Sequence, residues 1–494
     1  MDWTQMTDRA EIEPNSSDRP QRRTPPPVPA YPRTTVVPIV LFLFGSLMAA
    51  LYTFVLFPRQ SAIAGAIDVN RLGEIARHVA AGDGFSQGWG PTVRRAPLFP
   101  AFAGAIIHFS GWQGPDAVVF RPVQAAQCLV LGLTCVVVWA AARKLFGPRT
   151  AIIAGALAAV APQSLRYVPM AEVETLMGLA IALMALTSVN LSLRPTLWNG
   201  ALLGLASGAA TLLKPIAELY PALFGILLWL AWRKRSPGSD PGSRSDSGSG
   251  SGSGSRAVAA AVCSLVVLAA VVAPWMVRNA VVTHGQFTGI GSNAPGEFLR
   301  GYVLAQPGYY LLRQDFGGSE PGKMQWDWEA NLFEDALLRK HGMSAFSTTR
   351  FGPNGQPMPL EESIPSELGK DRIEGAEVMR RIRHDPQGVA AKFFIQLFTF
   401  WYIVETRTKS LVVGGIAAAA IALAAFGAVR ARRKGLVVYP IVSLLLYFNA
   451  IYALFLGLAR YSMPLFPTLL ILSAYGGTQL LTGRTVRPPV DGAG

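Results

Sequence analysis

Val36-Val37-Pro38-Ile39-Val40-Leu41-Phe42-Leu43-Phe44-Gly45-Ser46-Leu47-Met48-Ala49-Ala50-Leu51-Tyr52-Thr53-Phe54-Val55-Leu56-Phe57 contains no charged side chain. The hydrocarbon core of a bilayer needs roughly 20 apolar residues in an α-helix, so this segment is long enough to span it. Residues 1–33, which precede it, are polar and proline-rich and end in Arg22-Arg23-Thr24-Pro25-Pro26-Pro27-Val28-Pro29. They read as a disordered tail. No small-residue cleavage site follows Phe57, so the segment is expected to be a retained first span and not a signal peptide.

Similar apolar segments recur near 118–141, 150–163, 175–193, 199–213, 215–232, 257–277, 409–429, 436–457 and 462–481. With the first they make about ten. The composition agrees: 51% hydrophobic residues, 15% charged residues and a mean hydropathy of +0.33 cannot be packed into one soluble core of ordinary size. The sequence therefore reads as an all-α polytopic membrane protein.

The formal charge of +14 does not indicate nucleic acid. The basic residues concentrate between apolar segments, at Arg143-Lys144, Arg194, Arg233-Lys234-Arg235, Arg430 to Lys434, Arg484 and Arg487. A cytoplasmic N-terminus puts all of these inside, as the charge rule requires, together with the C-terminus. The loop 58–117 then faces out. The apolar stretch Phe393 to Ile403 is half a span and is expected to lie at the outer membrane surface, since counting it as a span would turn Arg430 to Lys434 outward.

These boundaries divide the chain into a tail (1–33), an N-terminal membrane domain (34–235), a flexible Ser/Gly cytoplasmic linker (236–256), a transmembrane helix (257–277), an extracytoplasmic insert (278–392), an interfacial helix with C-terminal spans (393–483) and a cytoplasmic tail (484–494). The insert is the one region polar and long enough to fold in water. Helices are expected in it at Trp326–His341 and Asp371–His384. Cys128 and Cys135, seven apart on one helix, sit about 10 Å from each other, too far for a disulfide. The five histidines are scattered, and no Cys/His cluster has metal-site spacing, so no metal or cofactor is expected.

Just beyond the first span, Asp68 heads the helical-looking run Asp68 to Arg77, where it is placed to cap the helix. Arg94-Arg95-Ala96-Pro97-Leu98-Phe99-Pro100 follows. Together they offer a possible base and a possible phosphate-binding cation.

These residues carry a resemblance. Asp68 to Gly84, Arg95 to Pro100, Ala161-Pro162, Val173-Glu174-Thr175-Leu176, Lys214-Pro215, Pro274 to Asn279 and Arg460-Tyr461-Ser462-Met463-Pro464 are similar to the spaced motifs of the GT-C glycosyltransferases that use polyprenyl-phosphate sugars, the protein O-mannosyltransferase and aminoarabinose transferase superfamily. Two departures stand out. Val69 and Arg71 occupy positions where many members have Glu and Tyr, and Arg95 replaces a lysine of several relatives, a planar fork in place of a point charge.

The resemblance implies a GT-C-type fold with outer-face loops and transfer of a sugar from a polyprenyl-phosphate donor to a glycan, lipid or protein acceptor. Attack of a hydroxyl on an anomeric carbon with inversion needs a carboxylate to take the proton. Asp68 is the expected catalytic base, with Glu174 as a second catalytic carboxylate. The leaving phosphate needs cationic stabilisation, assigned first to Arg95 and then to Arg94, Lys214 and Arg460. Arg278-Asn279 is expected to anchor the insert. The rival reading is a transporter or flippase of lipid-linked saccharides, which predicts polar residues near the bilayer midplane. Here the charges cluster at span ends.

Overall fold

The computed structural model describes residues 36–57, 71–87, 90–111, 120–233, 252–312, 325–343, 350–351, 357–358, 364–404 and 406–482. Asp68 and most of the Ser/Gly linker lie outside the described residues. The chain is built from helices, with two antiparallel pairs of two-residue strands, 86–87 with 90–91 and 350–351 with 357–358.

In the first half run α1 (Val36–Leu51), continued by a π turn over Tyr52–Leu56, then α2 (Leu72–Ala81), α3 (Leu98–Ser110), α4 (Arg121–Phe146), α5 (Pro148–Val160), α6 (Glu174–Leu193), α7 (Leu197–Leu213) and α8 (Tyr220–Arg233). The second half contains α9 (Gly252–Val282), α10 (Ala294–Leu304), α11 (Gln325–Arg339), α12 (Ile364–His384), α13 (Pro386–Thr399), α14 (Arg407–Arg433), α15 (Tyr439–Leu454) and α16 (Phe466–Thr482).

Among the described residues, seven helices are long and apolar enough to cross a membrane: 36–56, 121–146, 174–193, 215–233, 254–282, 407–433 and 459–482. The other three expected spans correspond to the shorter apolar helices α5, α7 and α15. The expected ten apolar segments are thus all helical, but only seven reach spanning length. α13 is not among them. It packs on α15 and follows α12 directly, so the half-span stretch begins at Pro386 and not at Phe393.

Small residues let the spans approach. A Cβ on Gly200, Gly204 or Gly208 of α7 would run into Ala260, Ser264 or Val271 of α9, the last at 2.8 Å. This stripe at intervals of four puts three glycines on one helix face, the arrangement that brings two membrane helices into backbone contact. α14 and α16 cross the same way at Gly427 and Gly476.

The expected helix 68–77 is found shifted, at Leu72–Ala81. Arg71, with φ 56° in the left-handed region, occupies its N-cap position, and its guanidinium holds Glu74 of the first turn at 2.6 Å. The helix ends at Gly82, φ 89°, whose N–H closes the last turn on His78 and Val79, as a left-handed glycine does. His78 faces Asp83 at 3.1 Å, and His108 of α3 meets the Ala80 carbonyl at 2.9 Å, so both histidines act structurally.

The insert forms a small helical layer in which α10, α11 and α12 pack on one another. The helices expected at 326–341 and 371–384 appear as α11 and α12, the latter starting seven residues earlier, at Ile364. Near the end of α9, Arg278 donates to the Thr92 and Phe85 carbonyls of the first loop, and Asn279 donates to that of Gly289 in the insert. Trp275, one turn back, donates to Ile290 at 2.9 Å and packs edge-on against Phe85.

Candidate active site

The start of α6, the end of α7 and the helical turn before α16 meet at one end of the bundle. The turn Ala459–Ser462 carries Arg460, Lys214 terminates α7, and Glu174 is the first residue of α6. Pro215 explains the placement of Lys214. A proline cannot donate the next helical hydrogen bond, so α7 stops and the lysine adopts extended backbone, φ −147° and ψ 122°.

Arg460 bridges two carboxylates. Its Nη2 lies 2.6 Å from Glu172 Oε2 and its Nε 2.7 Å from Glu174 Oε1. Lys214 Nζ donates to the same Glu174 Oε1 at 3.3 Å. Both carboxylates are buried, and two anions and two cations balance within the cluster, the condition under which buried charge is tolerated. Aromatic faces complete the cage. Lys214 Nζ sits 4.2 Å from the Tyr461 ring centre, Tyr461 stacks on Tyr452 at 4.8 Å, and the Arg460 guanidinium lies over Tyr167. Each cation over a ring face gains further electrostatic attraction.

Arg95 lies half-buried in the segment leading into α3, where the charges of Glu297 and Glu172 act on its guanidinium. Burial and the neighbouring Arg94 push its guanidinium down to about 10. A cation held at such a cost gains from an arriving anion. Arg94 turns away, its Nη2 3.4 Å from Asn293 Oδ1, and its charge acts on Asp371 and Glu374 of the insert.

The structure thus brings Glu174, Lys214 and Arg460 together, leaves Arg95 within the electrostatic reach of Glu172, and directs Arg94 toward the insert. Asp68 lies outside the described residues. Glu172 was not singled out in the sequence. Its signal was an acidic pair, Glu172 and Glu174, two residues apart at the head of an apolar run, and acidic residues at such a border are commonly paired or functional. Tyr167, Tyr452 and Glu297 gave no sequence signal of comparable strength.

Beneath Glu174 is a cavity of about 20 Å³, lined in part by Thr134, Gln163, Tyr167 and Thr175. Glu174 Oε2, both amide atoms of Gln163 and Thr175 Oγ1 are buried there without a hydrogen-bond partner in the structure. That volume and that polar lining suit about one water molecule. Gln163 also borders a groove of about 410 Å³ between α5, α14 and α16, whose walls are otherwise mostly apolar.

The chain is a bundle of membrane-length helices with a charged, aromatic-lined cluster at one end of its spans, and its fold is of the GT-C type. Residues 116–238, which include Glu172, Glu174 and Lys214, match the family described as dolichyl-phosphate-mannose-protein mannosyltransferase. The fold is similar to that of the archaeal oligosaccharyltransferase AglB from Archaeoglobus fulgidus in complex with an inhibitory peptide and a dolichol-phosphate, at 13% identity and a TM-score of 0.51, over 92% of this chain and 52% of that one. A second structure of the Archaeoglobus fulgidus oligosaccharyltransferase, tethered with an acceptor peptide containing the NVT sequon, gives 13% identity and a TM-score of 0.52, over 91% and 50%. The chain spans about half the length of these structures, and the likeness is one of fold. No curated protein sequence matches the chain.

Among the described residues no group of three or more His, Cys, Asp or Glu is placed to hold a metal ion.

Proposed function

We propose that the protein transfers a sugar from a polyprenyl phosphate to an acceptor hydroxyl at the extracytoplasmic membrane face, with inversion at the anomeric carbon. The observation that carries this reading is the buried ion-pair cluster of Glu172, Glu174, Lys214 and Arg460 at one end of the spans, with Arg95, half-buried in the segment before α3, within electrostatic reach of Glu172. The fold supports it, as does the family match over the segment that supplies three of the four cluster residues. The apolar groove that ends at Gln163 suits a lipid chain whose polar end approaches Glu174.

In this reading the acceptor oxygen attacks the anomeric carbon while the bond from that carbon to the phosphate oxygen breaks. The acceptor proton passes to Asp68, and the electron pair of the broken bond leaves with the lipid phosphate. Asp68 keeps the role of base because Glu174 is already engaged: two cations share its Oε1. Glu172 and Glu174 instead hold Arg460 and Lys214 in fixed positions. The phosphate gains negative charge as the bond breaks, and Arg95 stabilises that gain, a contribution larger in the transition state than in the ground state.

Donor kinetics of Arg95 variants test this. Arg95→Ala is expected to raise the donor KM and lower kcat together, and Arg95→Lys to recover part of both, since a point charge lacks the two-pronged fit to phosphate. Wild-type values for Arg95→Ala would return the residue to the class of lipid-anchoring cations.

A further inference from the structure

Arg95 sits on a short segment with no helix or long strand of its own to fix it; the preceding strand pair, 86–87 with 90–91, has only two residues on each side. Three groups from distant parts of the chain hold the residues just before it. Glu367, in the first turn of α12, accepts from Thr92 Oγ1 at 2.7 Å and from the Val93 N–H at 3.1 Å, one carboxylate oxygen for each. On the other side, Arg278 Nη1 donates to the Thr92 carbonyl at 2.7 Å and the Ser292 N–H donates to the Val93 carbonyl at 3.1 Å. Thr92 Oγ1 in turn accepts from the Arg94 N–H at 3.2 Å.

Thr92, Val93 and Glu367 are all buried. A carboxylate accepting from a hydroxyl and a backbone N–H forms charge-assisted bonds, roughly twice the strength of neutral ones, and burial keeps water from competing for them. Of the three holds, the one from Glu367 alone comes from a helix that belongs wholly to the insert and grips both the side chain and the backbone of this segment.

We infer that Glu367 is a positioning residue for sugar transfer: the insert sets the reach of Arg95 through the Glu367 carboxylate and the Thr92-Val93 backbone. This rests on the reading of Arg95 as the residue that meets the donor phosphate. It assigns the insert a part in the reaction, because α12 then fixes the backbone two residues before the phosphate-binding guanidinium. A catalytic group displaced by about 1 Å can lose on the order of a hundredfold in rate, so such a hold has kinetic consequences without touching substrate.

The experiment uses the full-length protein in one detergent–lipid system and two readouts, amide hydrogen exchange over residues 92–96 and kinetics with a polyprenyl-phosphate sugar. Glu367→Ala is expected to speed exchange at Val93 and Arg94 on the order of tenfold while exchange in the spans stays unchanged. It should raise donor KM and lower kcat in the same direction as Arg95→Ala. Glu367→Gln, which keeps one acceptor oxygen, should recover part of both. In the Arg95→Ala background Glu367→Ala should have no further kinetic effect, since a residue acting only through Arg95 has nothing left to position.

Thr92→Val removes two bonds, the one to Glu367 and the one from the Arg94 N–H, without altering α12, and serves if Glu367→Ala does not fold; it should speed exchange at Arg94. Unchanged exchange over 92–96 in these variants overturns the inference, and so does a Glu367→Ala loss that multiplies onto that of Arg95→Ala. If the wild type turns over no polyprenyl-phosphate sugar, or Arg95→Ala is kinetically silent, the proposed function fails, and with it the role of Glu367 in transfer. The exchange data then still decide whether Glu367 holds the segment.

Discussion

Replacing Arg460 with methionine removes the one side chain that joins the two buried carboxylates while keeping most of its apolar bulk. Glu172 loses its 2.6 Å ion pair with Arg460, whereas Glu174 retains Lys214 at 3.3 Å. Breaking a buried pair by deleting one partner costs about 3–5 kcal/mol, mostly the burden of the charge left behind. The Arg460 side chain is 23% exposed, which lets some water reach the site, and one of the two carboxylates keeps a cation, so the lower end, about 3 kcal/mol, applies. The double variant Arg460→Met with Glu172→Gln should regain part of that loss, because one buried anion is then removed along with the cation that faced it. Equilibrium unfolding in a fixed detergent–lipid mixture, followed by tryptophan fluorescence, measures both. A loss below about 1 kcal/mol for Arg460→Met, or a Glu172→Gln change that adds to the loss, would refute the view that this cluster is a balanced buried quartet.

Three further outcomes are expected. Gly204→Ala forces a Cβ against the Ser264 carbonyl across the contact of α7 with α9 and should destabilise by about 1–3 kcal/mol, while Gly415→Ala, with nothing within 4 Å of its Cβ, should not; unfolding of the pair side by side checks this. Glu374 in α12 is pushed up to about 8 by burial and by Glu334, so the folded state binds its proton more tightly than the unfolded chain does. Its stabilising contribution is therefore complete below the ordinary carboxylate range and is lost as pH rises through about 8. Lys392, pushed down to about 7 by burial, acts in the opposite sense, but only above that pH. Thermal stability between pH 5 and 7 should thus decline less in Glu374→Gln than in the wild type, and equal slopes would contradict the assignment. Finally, a cysteine placed at Ser247 should resist a membrane-impermeant thiol reagent in intact cells, and labelling there would reverse the proposed orientation.

Hydropathy made the spans legible because insertion depends on composition summed over about 20 residues, which needs no knowledge of neighbours. It did not separate the seven long spans from α5, α7 and α15, whose apolar content is similar and whose length is set by Gly147, Pro148, Pro215 and the turns around them. The candidate residues Glu174, Lys214, Arg460 and Arg95 were each named from sequence, but their mutual pairing was not. Glu174 and Arg460 are 286 residues apart, and nothing local records that contact. Glu172 was missed for the same reason: its partner lies at the far end of the chain. The start of α2 lies later than expected, at Leu72, where Arg71 in left-handed backbone precedes the helix and bonds Glu74.

The most direct test of the central claim is turnover itself. Purified protein in lipid nanodiscs is incubated with a panel of polyprenyl-phosphate sugars and candidate acceptors, and release of the free polyprenyl phosphate is followed for the wild type and for Asp68→Asn. The account predicts release with at least one donor in the wild type and a loss of at least about a hundredfold in a folded Asp68→Asn variant, since the amide cannot take the acceptor's proton. Release at the wild-type rate by Asp68→Asn, or no release from any donor by a folded wild-type protein, would contradict it.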